Sequence, residues 1–190
     1  MNSENKKRIV RTMLVEGPLA LVFVGWFVYR VVSRQMDTSD ILFFLVALGV
    51  LFVAESFIHE SGHIICGLLY GVRPSGIQIG YGPAIILWRD SQVPVSLGLL
   101  PCGGYVEFRY LPVSRRQRIV MYAGGVAASC VAAIVAWNII PSHLDWLRIE
   151  TVMAFGLFIA TNLVGTAPKD KYTDGDAIRG LLAYRQSRAR

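Results

Sequence analysis

Apolar residues in this chain fall into long unbroken blocks, not into the every-third-or-fourth rhythm of a helix with one wet face. Met13–Val32 is the first block, interrupted near its start by Glu16, Gly17 and Pro18. After a short polar turn at Ser33–Asp40 comes Ile41–Tyr70, whose first fourteen residues, Ile41–Ala54, carry no charge. Ile119–Ile140 supplies twenty-two more uncharged residues, rich in small side chains that let a neighbouring helix approach closely. A polar turn at Pro141–Glu150 then leads into a shorter fourth block, Thr151–Ala167. About 20 apolar residues in a helix cross a bilayer core of roughly 30 Å, so these blocks predict membrane spans. The first is too long, and lacks the small-residue cleavage site, for a secretory signal.

Between the second and third blocks the pattern changes. From Gly71 to Arg118 short apolar runs are broken by Gly and Pro, as in Gly76-Ile77-Gln78-Ile79-Gly80-Tyr81-Gly82-Pro83, which is strand-and-turn chemistry. The expected fold is therefore an all-α membrane protein of about four transmembrane helices, with a small membrane-associated β region between the second and third. Residues 1–40 form an N-terminal arm and first span, 41–178 the core, and 179–190 a basic tail that follows a short amphipathic helix beginning at Gly175.

Composition agrees: 54% of residues are hydrophobic and 17% charged, too apolar a balance for an ordinary soluble domain. The net charge of +6 would suit nucleic acid, but the basic residues flank apolar blocks, so they orient the chain in a membrane and no nucleic-acid partner is expected. Four Lys and Arg lie in the N-terminal arm, six in Gly71–Arg118 and six beyond Pro168, against three (Arg30, Arg34 and Arg148) beside the other loops. That asymmetry predicts a multi-pass protein of the cell membrane with both termini and the β region on the cytoplasmic side. The three cysteines, Cys66, Cys102 and Cys130, are too far apart for zinc-ligand spacing and too few for a disulfide framework, so they read as reduced packing residues.

Chemistry enters inside the second block, which reads His59-Glu60-Ser61-Gly62-His63 in the middle of apolar sequence. Each ionisable group on a membrane helix costs about 2.5–3.5 kcal/mol, so three within five residues need a reason. His59 and His63, four apart, share one helix face and can hold one Zn²⁺; Glu60 is placed to act as general base on a water at that ion. The basic-residue count puts this motif in the cytoplasmic half of the span.

A catalytic zinc site typically has three protein ligands. Asp174, in Thr173-Asp174-Gly175, lies on the cytoplasmic side and can reach back if the chain before it dips into the bundle. Asp-Gly also suits a helix N-cap, and the two roles are compatible. Glu107 in the β region is a weaker candidate on the same side; Glu150 and the pair His143 and Asp145 fall on the opposite side.

His59-Glu60-Ser61-Gly62-His63 in a spanning helix, Gly80-Tyr81-Gly82-Pro83, Leu100-Pro101-Cys102-Gly103-Gly104-Tyr105-Val106, and Asn162 followed by Asp174-Gly175 together resemble the site-2 protease family, the M50 intramembrane zinc metalloproteases. The resemblance runs from about Ile41 to Ile178 and implies a three-span core to which Met13–Val32 is an addition. It implies zinc ligation by His59, His63 and Asp174, acid–base catalysis by Glu60, and substrate-binding roles for Asn162, Pro101, Gly103 and Gly104. The chain departs from the family pattern in two places. Asn162 and Asp174 lie twelve positions apart with Pro168 between them, and Ala123-Gly124-Gly125-Val126-Ala127-Ala128 stands where many members carry Ala-Gly-Pro-x-x-Asn. With no peptide-binding or regulatory domain inserted, the chain looks like a minimal form.

The expected activity is hydrolysis of a peptide bond in or near the transmembrane segment of a membrane-protein substrate, at a site opening to the cytoplasm. Lipid and a regulatory membrane partner belong to the same picture. The alternatives are a catalytically inactive protease-like scaffold, which has no use for Glu60, and a membrane-anchored metalloprotease acting on cytosolic peptides with Glu107 as third ligand. A transporter fits worst, because no internal repeat is present.

Overall fold

The computed structural model describes residues 18, 21–33, 36–88, 92–164 and 173–188. A short apolar helix, α1 (Leu21–Ser33), precedes α2 (Thr38–Leu69). Two bent strands follow, β1 (Pro74–Trp88) and β2 (Val95–Phe108), then α3 (Arg115–Ile139), one 3-10 turn (Ser142–Leu144), α4 (Asp145–Val164) and α5 (Asp174–Arg188). The protein is a mostly helical integral membrane protein. Among the described residues, α2, α3 and the turn-plus-α4 segment Ser142–Val164 are long and apolar enough to span a bilayer, and α1 is shorter. The expected start of the first span, Met13–Gly17, lies outside the described residues, as does Pro168.

α2 is the axis. Asp37 caps it, its Oδ1 accepting from the Asp40 amide at 2.9 Å and from the Ser39 hydroxyl at 2.6 Å. Its 32 residues extend about 48 Å. Along its first half Leu42, Phe43, Leu45, Val46 and Val50 are exposed, as lipid-facing side chains are. Along its second half the polar residues turn inward: Glu55, Ser56, His59, Glu60 and His63 are all buried while Phe57, Ile65 and Leu68 face out. This inversion follows from lipid as solvent, because a polar face is tolerable only against protein.

α3 packs against α2, α4 and α5. The approach of α2 to α3 is set by Gly62 and Gly124. A Cβ on Gly62 would collide with the Gly124 carbonyl oxygen, and one on Gly124 would lie 2.6 Å from the Gly62 carbonyl oxygen. Backbones this close need two glycines facing each other.

The β region forms as expected, but as two long bent strands. Pro74–Ile79 pairs antiparallel with Gly104–Phe108, and Ala84–Trp88 with Val95–Gly98; Ile77–Ile79 also aligns with Val95–Leu97, so that segment is paired on both edges. Both strands pack on α2.

Two expectations are corrected. The polar turn expected over Pro141–Glu150 ends at Leu144, and Asp145–Glu150 belongs to α4. These charges are held within the helix. Arg148 pairs with Asp145 at 3.3 Å and donates to the Trp137 carbonyl near the end of α3 at 2.6 and 3.0 Å, while buried Glu150 faces Arg30 of α1 at 3.9 Å. α5, expected to be amphipathic, segregates its apolar and polar residues very little; Arg179 ties it to α4, and Arg115 of α3 donates to its Leu182 carbonyl. Cys66 and Cys130 are free thiols, and Cys130 is exposed on α3 rather than packed inside; the Cys102 side chain lies outside the described ones.

Candidate metal centre

One turn of α helix brings His59 and His63 to the same face, with Nε2 atoms 3.2 Å apart and rings nearly perpendicular at 83°. The third group comes from 111 positions further along the chain than His63. Asp174 Oδ2 lies 3.0 Å from His59 Nε2 and 3.2 Å from His63 Nε2. The three donor atoms thus form a nearly equilateral triangle. Among the described residues these three are the one group of His, Cys, Asp and Glu able to share an ion.

Asp174 is aimed inward because the capping role belongs to its neighbour. Thr173 Oγ1 accepts from the Asp176 amide at 3.2 Å and donates to Asp176 Oδ2 at 3.1 Å, and the Thr173 carbonyl accepts from Ala177 at 3.0 Å. Thr173 is therefore the N-cap, so the alternative in which Asp174 caps α5 is corrected, and the Asp174 carboxylate faces the histidines. The turn is pinned to the end of α4. Arg179 donates to the Leu163 carbonyl at 2.7 Å and pairs with Asp176 at 2.7 Å. Gly175 sits so close that a Cβ there would collide with the same carbonyl.

Each imidazole is oriented through its other nitrogen. His63 Nδ1 donates to the Met121 carbonyl of α3 at 2.7 Å. His59 Nδ1 lies 3.1 Å from Ser129 Oγ, which in turn donates to Glu55 Oε1 at 2.7 Å. Both Nε2 atoms are left to face Asp174, and the Phe158 ring closes one side at 5.0 Å from the His59 ring. Opposite them stands Gly125 of α3. A Cβ at that position would be 2.5 Å from His63 Nε2 and 2.6 Å from His59 Nε2, so only hydrogen fits beside the donors.

The donor set suits zinc. Two imidazole nitrogens and one carboxylate oxygen, with a fourth position for water or substrate, make a common catalytic arrangement. At zinc–ligand distances of about 2.0–2.2 Å, tetrahedral ligands sit roughly 3.3–3.5 Å from one another. Separations of 3.0–3.2 Å therefore need a shift of only a few tenths of an ångström. His59, His63 and Asp174 would hold the ion.

Glu60 is buried on the same helix and lies against β2, where a Cβ on Gly104 would be 3.3 Å from its Oε1. Gly103 adopts φ 79°, a left-handed conformation that favours glycine, and the Tyr81 ring covers the position its Cβ would take. Tyr81 donates to the Gly104 carbonyl at 3.4 Å. Pro101 is in β2, its side chain outside the described ones. Asn162 is half-buried on α4, and its amide donates to the Phe158 carbonyl at 3.0 Å, a bond within its own helix. Glu107 is exposed and pairs in the sheet with Gly76, so it is not part of the donor group. His143 and Asp145 stand at the start of α4, about 30 Å of helix from the Leu163 end where Asp174 docks.

Residues 43–172 match the sequence profile of "Peptidase family M50". Among curated proteins, the regulator of sigma-E protease RseP of Escherichia coli is 34% identical over 116 residues, covering 52% of this chain and 24% of RseP. The chloroplastic membrane metalloprotease ARASP of Arabidopsis thaliana is 35% identical over 78 residues, covering 40% of this chain and 17% of ARASP. A Synechocystis protein named as a zinc metalloprotease is 34% identical over 69 residues, covering 36% of this chain and 19% of that protein. The matched segments thus span less than a quarter of these relatives' own lengths.

Proposed function

This chain belongs to peptidase family M50, and from that membership we propose that it is an intramembrane zinc metalloprotease that cuts a membrane-protein substrate in or near its transmembrane segment. The observation that carries the proposal is the donor triangle of His59, His63 and Asp174, closed to 3.0–3.2 Å by two helices far apart in sequence. Zinc held there supplies Lewis acidity toward a scissile carbonyl and makes a water acidic enough to lose its proton near neutral pH.

The chain's own residues supply the rest. Glu60 takes the water's proton on its carboxylate and passes it to the leaving amine nitrogen. Its burial between α2 and β2 keeps competing water away. A helical substrate hides its carbonyls in its own hydrogen bonds, so it must unwind before cleavage. Gly104–Phe108 pairs with β1 along one edge, and among the described residues no strand covers the other. An unwound segment adding there would satisfy its backbone groups beside Glu60, which lies against Gly104. Asn162 could serve that segment only by giving up its bond to Phe158.

Sixteen Lys and Arg in the N-terminal arm, the β region and the tail, against three elsewhere, support a site opening to the cytoplasm, both termini inside, and α1 completing a fourth span in the cell membrane. The test is reconstitution in lipid vesicles with a single-span substrate peptide, comparing wild type with Glu60→Gln. We expect equal bound zinc in the two proteins and cleavage lowered by at least about 100-fold in the variant, as for loss of an acid–base group. Undiminished cleavage by Glu60→Gln would remove the protease mechanism, and a wild type that holds zinc without cutting would favour the scaffold.

A further inference from the structure

Glu55 is fully buried on a helix whose opposite face is exposed beside it at Ala54 and Phe57. It lies one turn before His59, on the same face, yet it is not one of the three metal donors. Oε1 accepts from Ser129 Oγ at 2.7 Å, and Oε2 has no hydrogen-bond partner among the described residues. A carboxylate is an unfavourable filler for such a position, because an apolar side chain would pack there without leaving an oxygen unpaired.

Its effect is read through Ser129. A hydroxyl has one proton, and an ionised Glu55 carboxylate can only accept, so at 2.7 Å it takes that proton. Ser129 Oγ can then only accept from His59, which requires the proton on Nδ1 and leaves the Nε2 lone pair facing the donor triangle. Without Glu55 the hydroxyl is free to turn round and donate to Nδ1, which would place the proton on Nε2, where it blocks a metal. His63 needs no such device, since the Met121 carbonyl can only accept.

We infer that Glu55 is a positioning residue that, by fixing the direction of the Ser129 hydroxyl, holds His59 in the tautomer that binds metal. The inference rests on the zinc site proposed above. Outer hydrogen-bond partners of this kind change metal affinity by about 10–100-fold.

The test measures zinc affinity by chelator competition on the full chain in detergent. Glu55→Leu should weaken zinc by roughly 10–100-fold, whereas Glu55→Gln, whose amide oxygen can still accept from Ser129, should stay within about threefold of wild type. Ser129→Ala should show a loss like that of Glu55→Leu, and adding Glu55→Leu to it should lose nothing more. A role in packing alone would leave Glu55→Leu near wild-type affinity, and any loss it caused would add to that of Ser129→Ala. Unchanged affinity in Glu55→Leu, or additive losses, overturns the inference. Should Glu55→Leu fail to fold, Ser129→Ala against Glu55→Gln decides: a loss in the first alone supports the relay, and wild-type affinity in Ser129→Ala overturns it. A wild type that binds no zinc, or whose affinity ignores His63→Ala, sinks the metal site itself. Intact zinc binding indifferent to Glu55→Leu sinks only the relay.

Discussion

Replacing Gly125 by alanine adds one methyl group to the floor of the donor triangle. That carbon would sit 2.5 Å from His63 Nε2 and 2.6 Å from His59 Nε2, about 1 Å inside the optimal non-bonded separation of roughly 3.5 Å. The rings cannot easily retreat, because Nδ1 of each is tied to α3 by Met121 and Ser129. Either the imidazoles tilt off their hydrogen bonds or α3 moves away from α2, and the facing pair Gly62 and Gly124 shows how tightly that seam is closed. Overpacking of this kind costs about 1–3 kcal/mol. The larger effect should fall on the metal, since a displacement near 1 Å at two donors exceeds the loss of one outer partner, which alone is worth about 10–100-fold. Zinc affinity should therefore drop by at least about 100-fold, with a smaller fall in thermal stability of the zinc-free protein. Gly49→Ala on α2 is the control. Nothing lies within 4 Å of its added carbon, so it should leave zinc binding unchanged and shift stability in its favour by up to about 1 kcal/mol. Chelator competition and thermal unfolding in detergent measure both. Gly125→Ala binding zinc as tightly as Gly49→Ala would refute the placement of α3 against the histidines.

Two further outcomes test how the third donor arrives. Asp174→Ala should reduce zinc to a weak two-histidine site, whereas Glu107→Ala should leave bound zinc unchanged, and metal analysis of the purified variants separates them. Thr173→Ala removes the α5 cap at a cost of about 0.5–2 kcal/mol, and Arg179→Ala removes the bond from α5 to the Leu163 carbonyl. Each should loosen Asp174 and weaken zinc moderately, visible as faster zinc loss to a chelator, while zinc loss as slow as in wild type would mean that α5 is held by something else.

Features that repeat with the chain's own geometry are legible from the amino-acid sequence. Hydrophobic blocks longer than a bilayer core become α2, α3 and α4, and four-residue spacing puts His59 and His63 on one face, because helix rise and pitch are the same in every protein. The Gly-broken stretch from Gly71 becomes paired strands for an equally local reason. Charges misled where a partner lay far along the chain. Asp145, Arg148 and Glu150 look like a loop until Arg30 and the Trp137 carbonyl stand beside them. Glu55 carried a signal in the sequence, an acid on an apolar helix one turn from His59, but its purpose lay with Ser129, seventy-four positions away. The placement of Asp174, and not Glu107, beside the histidines, the capping duty taken by Thr173 and the clearance at Gly125 were decided by packing between helices. Spacing along one element fixes directions about its own axis, whereas the separation between elements depends on every side chain that must fit between them.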